Sequence, residues 1–183
     1  DEFGRFDGFA IPPRKNGDYA YLLHMLKSLK PTGKGAIVLP HGVLFRGNVE
    51  ATIRKKIIER GWINGIVGLS PNLFYGTGIP ACIVILDKEN AEARKGIFMI
   101  DASKNFIKDG NKNRLQAKGI HRIVDSFTNQ IEIPKFSRLV PLSEISDEKN
   151  DFSLNIPGYI NSQEEEEIQD IDAHLNGGIP LRD

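Results

Sequence analysis

The chain holds a single cysteine, Cys82, among 183 residues, so neither an internal disulfide nor a multi-cysteine zinc site can form. Its four histidines, His24, His41, His121 and His174, show no paired spacing of the kind that holds a metal, and no metal is expected. No apolar run approaches the length of a membrane span. The opening Asp1-Glu2-Phe3-Gly4-Arg5 lacks both the basic stretch and the apolar core of a secretory leader. No internal repeat is evident. Neither sign of charge dominates: 24 Lys+Arg balance 24 Asp+Glu, which withholds the overall positive field of a nucleic-acid binder. The expectation is a soluble, cytoplasmic protein with no membrane contact.

What is present suits one domain of ordinary size, with 40% hydrophobic and 26% charged residues. Residues 1–17, with Gly4, Gly8, Pro12, Pro13 and Gly17, read as irregular loop. Asp18 is then the expected cap of a helix running to about Lys30, with Tyr19, Leu22, Leu23, Leu26 and Leu29 on one face. Ala36 to Leu39 reads as a parallel strand covered on both faces. A second helix is expected from Asn48, as N-cap, to Gly61, as the residue after the C-cap. Its buried stripe would be Val49, Ile53 and Ile57, with Arg54, Lys55 and Lys56 outward. Strands are expected at Ile63–Leu69, Ala81–Leu86, Ile97–Ile100 and Arg138–Leu142, and a helix near Ile120–Phe127. From about 151 to 183 the chain reads as an extended, then acidic and mobile tail. This order opens on a helix with no strand before it, a poor start for a free-standing α/β domain. The expectation is therefore residues 18–150 as the C-terminal half of a larger α/β sheet.

Several segments invite a chemical reading. Gly33-Lys34-Gly35 looks like a phosphate loop but stands between a helix and a strand, the reverse of what such a loop needs, and reads as a helix C-cap. His41 follows a strand at its C-terminal end, where ligands of open α/β sheets gather. Cys82 lies inside an apolar strand and reads as a small buried hydrophobe. The loop Asn72-Leu73-Phe74-Tyr75-Gly76-Thr77-Gly78-Ile79-Pro80 sets two aromatics beside two glycines between core strands. Adjacent residues cannot both face the core, so at least one ring lines a cleft or surface, unless the pair plugs the sheet end. Between Ser103 and Arg122 there are six basic residues against one acid, Asp109, whereas 161–183 carries seven acids against Arg182. Both biases are compatible with solvated surface.

An ordered series of segments resembles the modification subunits of type I restriction–modification systems. It comprises Asp18–His24 with Leu29–Gly33, Val38–Gly47, Asn72–Cys82, Ile100–Ser103, Asn113–Leu115 and Asn155–Tyr159. The resemblance implies a partial Rossmann-like methyltransferase fold that uses S-adenosylmethionine to methylate N6 of adenine in DNA. It also implies assembly with a specificity subunit and a restriction subunit. The family's glycine-rich cofactor loop and its Asn-Pro-Pro-aromatic motif have no counterpart here; Ile11-Pro12-Pro13-Arg14 lacks both the asparagine and the ring. Catalytic residues are accordingly expected upstream of Asp1, none within this chain, and the isolated chain is expected to be inactive. By the same resemblance Tyr21 packs against the cofactor's adenine, the alternative being a core aromatic. Phe74 or Tyr75 stacks on the flipped target base. Lys104, Lys108, Lys112, Arg114 and Lys118 become contacts to DNA or to another subunit, and the acidic tail suits a subunit better than DNA. The rival expectation is a non-catalytic assembly module that keeps a methyltransferase-like core.

Overall fold

Helix α1 spans Asp18–Ser28, and its apolar stripe does what the spacing requires: Tyr19, Leu22, Leu23 and Leu26 are buried. The computed structural model describes residues 2–162; His174 and the acidic stretch beyond Gln163 lie outside the described residues. The start of α1 differs from expectation. Gly17 is the N-cap and Asp18 lies one residue inside the helix, because its carboxylate takes the guanidinium of Arg46 at 2.5 Å rather than a backbone N–H. The helix ends at Leu29. The Gly33 N–H closes a separate turn on the Lys30 carbonyl at 2.8 Å, and Lys34 and Gly35 already belong to strand β1, so this glycine pair does not cap the helix.

Five strands form the main sheet: β1 (Lys34–Pro40), β2 (Ile63–Gly68), β3 (Ala81–Asp87), β4 (Gly96–Asp101) and β7 (Ser137–Pro141), in the order β1-β3-β2-β4-β7. Among the described residues only β2 and β4 pair in parallel. The expected parallel strand covered on both faces is instead an edge strand, antiparallel to β3. Its alternate residues Ala36 and Val38 are exposed while Leu39 is buried, the one-sided pattern an antiparallel strand permits. On the other face of the sheet α1 and α2 (Asn48–Glu59) cover the larger core, in which Ile66, Val84, Leu86, Ile97 and Met99 meet Leu23, Leu26, Ile53 and Ile57. A second cluster of Val67, Leu69, Phe98, Ile100 and Phe136 fills the opposite face under α3 (Ala117–Thr128). There a Cβ on Gly65 would overlap the Phe127 ring, so glycine permits the close approach of α3 to β2. The basic stretch hides a short hairpin, β5 (Ile107–Asp109) with β6 (Lys112–Arg114), which its polar sequence does not announce. A one-turn helix, α4 (Leu142–Ile145), follows β7.

Helix α2 ends as its sequence indicates. Gly61 has φ 66°, its N–H bonds the Ile58 carbonyl at 2.8 Å and the Trp62 N–H the Ile57 carbonyl at 3.3 Å, the paired closure of a Schellman motif. Its start does not: Gly47 is the N-cap, and Asn48 makes no side-chain capping bond. Val49 is exposed and Arg54, expected outward, is 3% exposed. The guanidinium is buried because it is needed: Nη1 donates to the carbonyls of Val43 (3.2 Å) and Arg46 (2.8 Å), and Nε to that of Phe152 (2.9 Å). It thereby ties α2 to the loop after β1 and to the C-terminal segment. That segment crosses the boundary expected at 151. Leu154, Ile156, Tyr159 and Ile160 are buried in the core, and the Leu154 N–H bonds the Leu44 carbonyl at 2.8 Å.

Replacing this buried donor leaves the Arg46 and Phe152 carbonyls without its bonds, while that of Val43 keeps the Tyr19 hydroxyl. Arg54→Met is expected to cost roughly 3 kcal/mol, read as a lower urea midpoint at unchanged m-value. A midpoint equal to that of the parent protein would show that the three carbonyls do not depend on Arg54.

Candidate functional site

Because β3 runs antiparallel to both β1 and β2, and β4 runs parallel to β2, the C-terminal ends of β1, β2 and β4 open on one edge of the sheet. The turn at His41 leaves β1 there, the loop Ser70–Pro80 leaves β2, and Asp101–Ser103 leaves β4. The start of α1 reaches the same edge, since Asp18 pairs with Arg46 and the Tyr19 hydroxyl donates to the Val43 carbonyl at 2.6 Å. Open α/β sheets bind ligands at such an edge.

A cavity of about 550 Å³ lies there, with His41, Asp101, Ser103, Ile156 and Asn161 among its walls. Asp101 is nearly buried. Its Oδ1 accepts the Ser103 N–H at 3.0 Å and its own N–H donates to the Phe136 carbonyl at 2.7 Å. The His41 N–H donates to the Pro80 carbonyl at 3.0 Å, and its ring meets Phe45 edge-on with centroids 6.2 Å apart. Burial holds the imidazole below its ordinary pKa near 6.5, with the Asp101 carboxylate partly opposing. Gly68 is a glycine by close approach, as a Cβ would stand 2.8 Å from Ile156 Cδ1. Ser70 Oγ, between two wall residues, is buried with no hydrogen-bond partner among the described residues. Asp101 and Ser103 lie in a segment that carries the family resemblance, but only the fold brings them to His41.

Tyr21, Phe74 and Tyr75 all come to this edge, and all three are exposed, at 70%, 40% and 93% respectively. Tyr21 is therefore not a core aromatic; Tyr19, two residues earlier, fills that role, and burial pushes its hydroxyl up to about 12. The Tyr21 ring lies against Gly17, where a Cβ would be 3.3 Å from Cε2. The five basic candidates differ in their engagement. The Lys104 ammonium donates to the Ser162 carbonyl at 2.6 Å, and that of Lys112 to the Phe74 and Thr77 carbonyls at 2.7 and 3.2 Å. Arg114 pairs with Asp109 at 3.0 Å, an exposed pair of small energetic weight. Lys108 sits 5.6 Å from the Phe106 ring centroid, and Lys118 is exposed at the start of α3. Cys82 is fully buried in β3, and burial pushes its thiol up to about 12. Among the described residues no helix is long and apolar enough to cross a membrane.

Comparison with known proteins gives consistent matches. The family described as N-6 DNA Methylase matches residues 1–168. The methylase subunit of the type I restriction enzyme MjaVII of Methanocaldococcus jannaschii is 42% identical over 168 residues, covering 90% of this chain and 28% of that protein. That of MpnII of Mycoplasma pneumoniae is 35% identical over 173 residues, covering 94% and 31%. The chain thus spans less than a third of these relatives. The solved methyltransferase subunit of a Streptococcus thermophilus type I restriction–modification system superimposes with a TM-score of 0.80 at 42% identity, over 87% of this chain and 34% of that one. The fold is accordingly Rossmann-like, of the methyltransferase kind.

The depressed pKa of His41 has a consequence for stability. Below about pH 6.5 the unfolded chain binds a proton there that the folded protein resists, so stability falls as the pH drops through 6.5 and on through the lowered folded value. His41→Gln is expected to flatten this part of the profile. Urea unfolding of both proteins between about pH 7 and pH 5 measures it, and parallel profiles would contradict the assignment. The buried Cys82 thiol is expected to resist a thiol reagent until urea unfolds the protein; reaction of the native protein at the rate of a free thiol would contradict its burial.

Proposed function

The chain belongs to the N-6 DNA methylase family, and on that premise we propose that its parent protein is the modification subunit of a type I restriction–modification system. The parent transfers a methyl group to the exocyclic N6 of adenine in DNA. The observation that carries this reading is the pair of exposed rings, Phe74 and Tyr75, on a glycine-flanked loop at the C-terminal edge of the sheet. Adenine N6 is paired inside the duplex, so the base must leave the stack to react. A ring waiting outside restores part of the lost stacking, worth about 1–3 kcal/mol per base.

The site also fits one wall of a cofactor cleft. Tyr21 presents an open aromatic face on the first turn of α1, beside Gly17, and would hold the adenine of S-adenosylmethionine by stacking. That cofactor, when bound, supplies the methyl group as an electrophilic sulfonium substituent. The groups that accept hydrogen bonds from the adenine amino group, in an Asn-Pro-Pro-aromatic segment, belong to another part of the parent, and the isolated chain does not catalyse transfer. Lys104, Lys108, Arg114 and Lys118, on the segment that follows β4 at this edge, contact DNA phosphates or a neighbouring subunit. The parent works in the cytoplasm with a specificity subunit that reads the DNA sequence and a restriction subunit that cuts. The methyltransferase half-domain runs from residue 18 past 150 to take in the buried segment 154–160.

In the assembled enzyme, Phe74→Ala and Tyr75→Ala are each to be tested by methyl transfer and by the fluorescence of 2-aminopurine at the target position. At least one is expected to lower the rate by about ten- to a hundredfold and to weaken the flipping signal. Parental values of both quantities in both variants would remove the stacking role. Calorimetry of the isolated chain with S-adenosylmethionine is expected to show no tight binding; submicromolar affinity would contradict the single-wall assignment.

A further inference from the structure

The aromatic loop is not held mainly by its own bonds. Its internal closures are the Asn72 N–H to the Gly78 carbonyl at 3.3 Å and the Ile79 N–H to Thr77 Oγ1 at 3.1 Å. Four bonds reach it from the β5–β6 hairpin, some 40 residues on. The Asn113 N–H donates to the Asn72 carbonyl at 2.9 Å and Asn113 Nδ2 to the Pro71 carbonyl at 2.6 Å. The Lys112 ammonium donates to the carbonyls of Phe74 and Thr77, at 2.7 and 3.2 Å. These two acceptors bracket Tyr75 and Gly76, and Gly76 sits at φ 78°. Asn113 is 4% exposed, so its two bonds form a buried anchor at the loop's root.

We propose that Lys112 and Asn113 are positioning residues for the base-stacking loop, Asn113 fixing its root and Lys112 its tip. Fixing the carbonyls on either side of Tyr75 fixes the backbone from which both rings project, so the direction of each Cα–Cβ bond is set before DNA arrives. A free eleven-residue loop would have to be ordered at the moment of binding, at the expense of stacking. An ammonium suits the task because its bonds to neutral carbonyls are charge-assisted. The role rests on the assignment of Phe74 and Tyr75 to the flipped base. It also gives Lys112 a different task from that of a phosphate contact.

The salt dependence of binding separates the two roles, because a residue that neutralises one phosphate contributes about one to the slope of log K against log salt. In the assembled enzyme, Lys112→Met is expected to lower the methyl-transfer rate about tenfold and weaken the 2-aminopurine signal while leaving the salt slope unchanged. Lys112→Arg is expected to recover most of the rate. Amide exchange of residues 72–79 in the parent protein should quicken in Lys112→Met, and that of β2 and β3 should not. A slope reduced by about one with transfer rate and loop exchange intact would overturn the proposal in favour of a phosphate contact. Unchanged loop exchange would overturn it whatever the activity. If the parent enzyme itself fails to methylate adenine, the proposed function falls, and loop exchange still decides whether Lys112 holds the loop.

Discussion

The reversal of β3 between β1 and β2 is the constraint on which the rest depends. One antiparallel strand between two that share a direction sends the exits of β1, β2 and β4 to the same edge. The chemically suggestive groups meet there by their place in the fold: His41 after β1, the aromatic loop after β2, Asp101 and Ser103 after β4. Among the described residues β1 pairs with β3 alone, and its side chains alternate between faces, with Val38 exposed beside a buried Leu39.

Holding that edge together takes buried charge. The loop that leaves β1 has carbonyls with no sheet partner, and Arg54 of α2 supplies their donors from inside the fold. Arg46 in turn takes Asp18, and its Nε lies 3.2 Å from Glu50 Oε2. Desolvation raises the Glu50 pKa, which the guanidinium of Arg46 partly offsets. Such a network is weak as a source of stability, because desolvation consumes most of the Coulomb gain. It does specify one arrangement of α1, the β1 exit and the C-terminal segment, so that Tyr21 is presented outward while Tyr19 is buried.

The opposite side of the edge is held differently. The β5–β6 hairpin offers little apolar surface, and only Asn113 within it is buried. Its contribution is donors: two from Asn113 and an ammonium from Lys112, all to carbonyls of the aromatic loop. A six-residue basic bias in the sequence thus conceals distinct tasks. Some cations serve backbone carbonyls and some remain with solvent, a division that charge counting cannot make.

The sequence by itself determined the elements whose signals are local. Apolar period placed α1 and α2, continuous apolar runs placed β2, β3 and β4, and a glycine able to hold positive φ placed the end of α2. The ordered motifs placed the chain in its family, which the comparisons bear out. What it misassigned were the features that depend on distant partners: Asp18 and Asn48 as caps, Arg54 as an outward residue, and β1 as a doubly covered strand. Arg54 is the plainest case, since a guanidinium suggests solvent, and only the tertiary structure brings three backbone carbonyls within its reach. Pairing direction likewise depends on which strands become neighbours, and periodicity along one strand carries no record of its partner. Local pattern therefore fixed what each segment becomes, while the satisfaction of buried polar groups across the fold decided how the segments meet at the site.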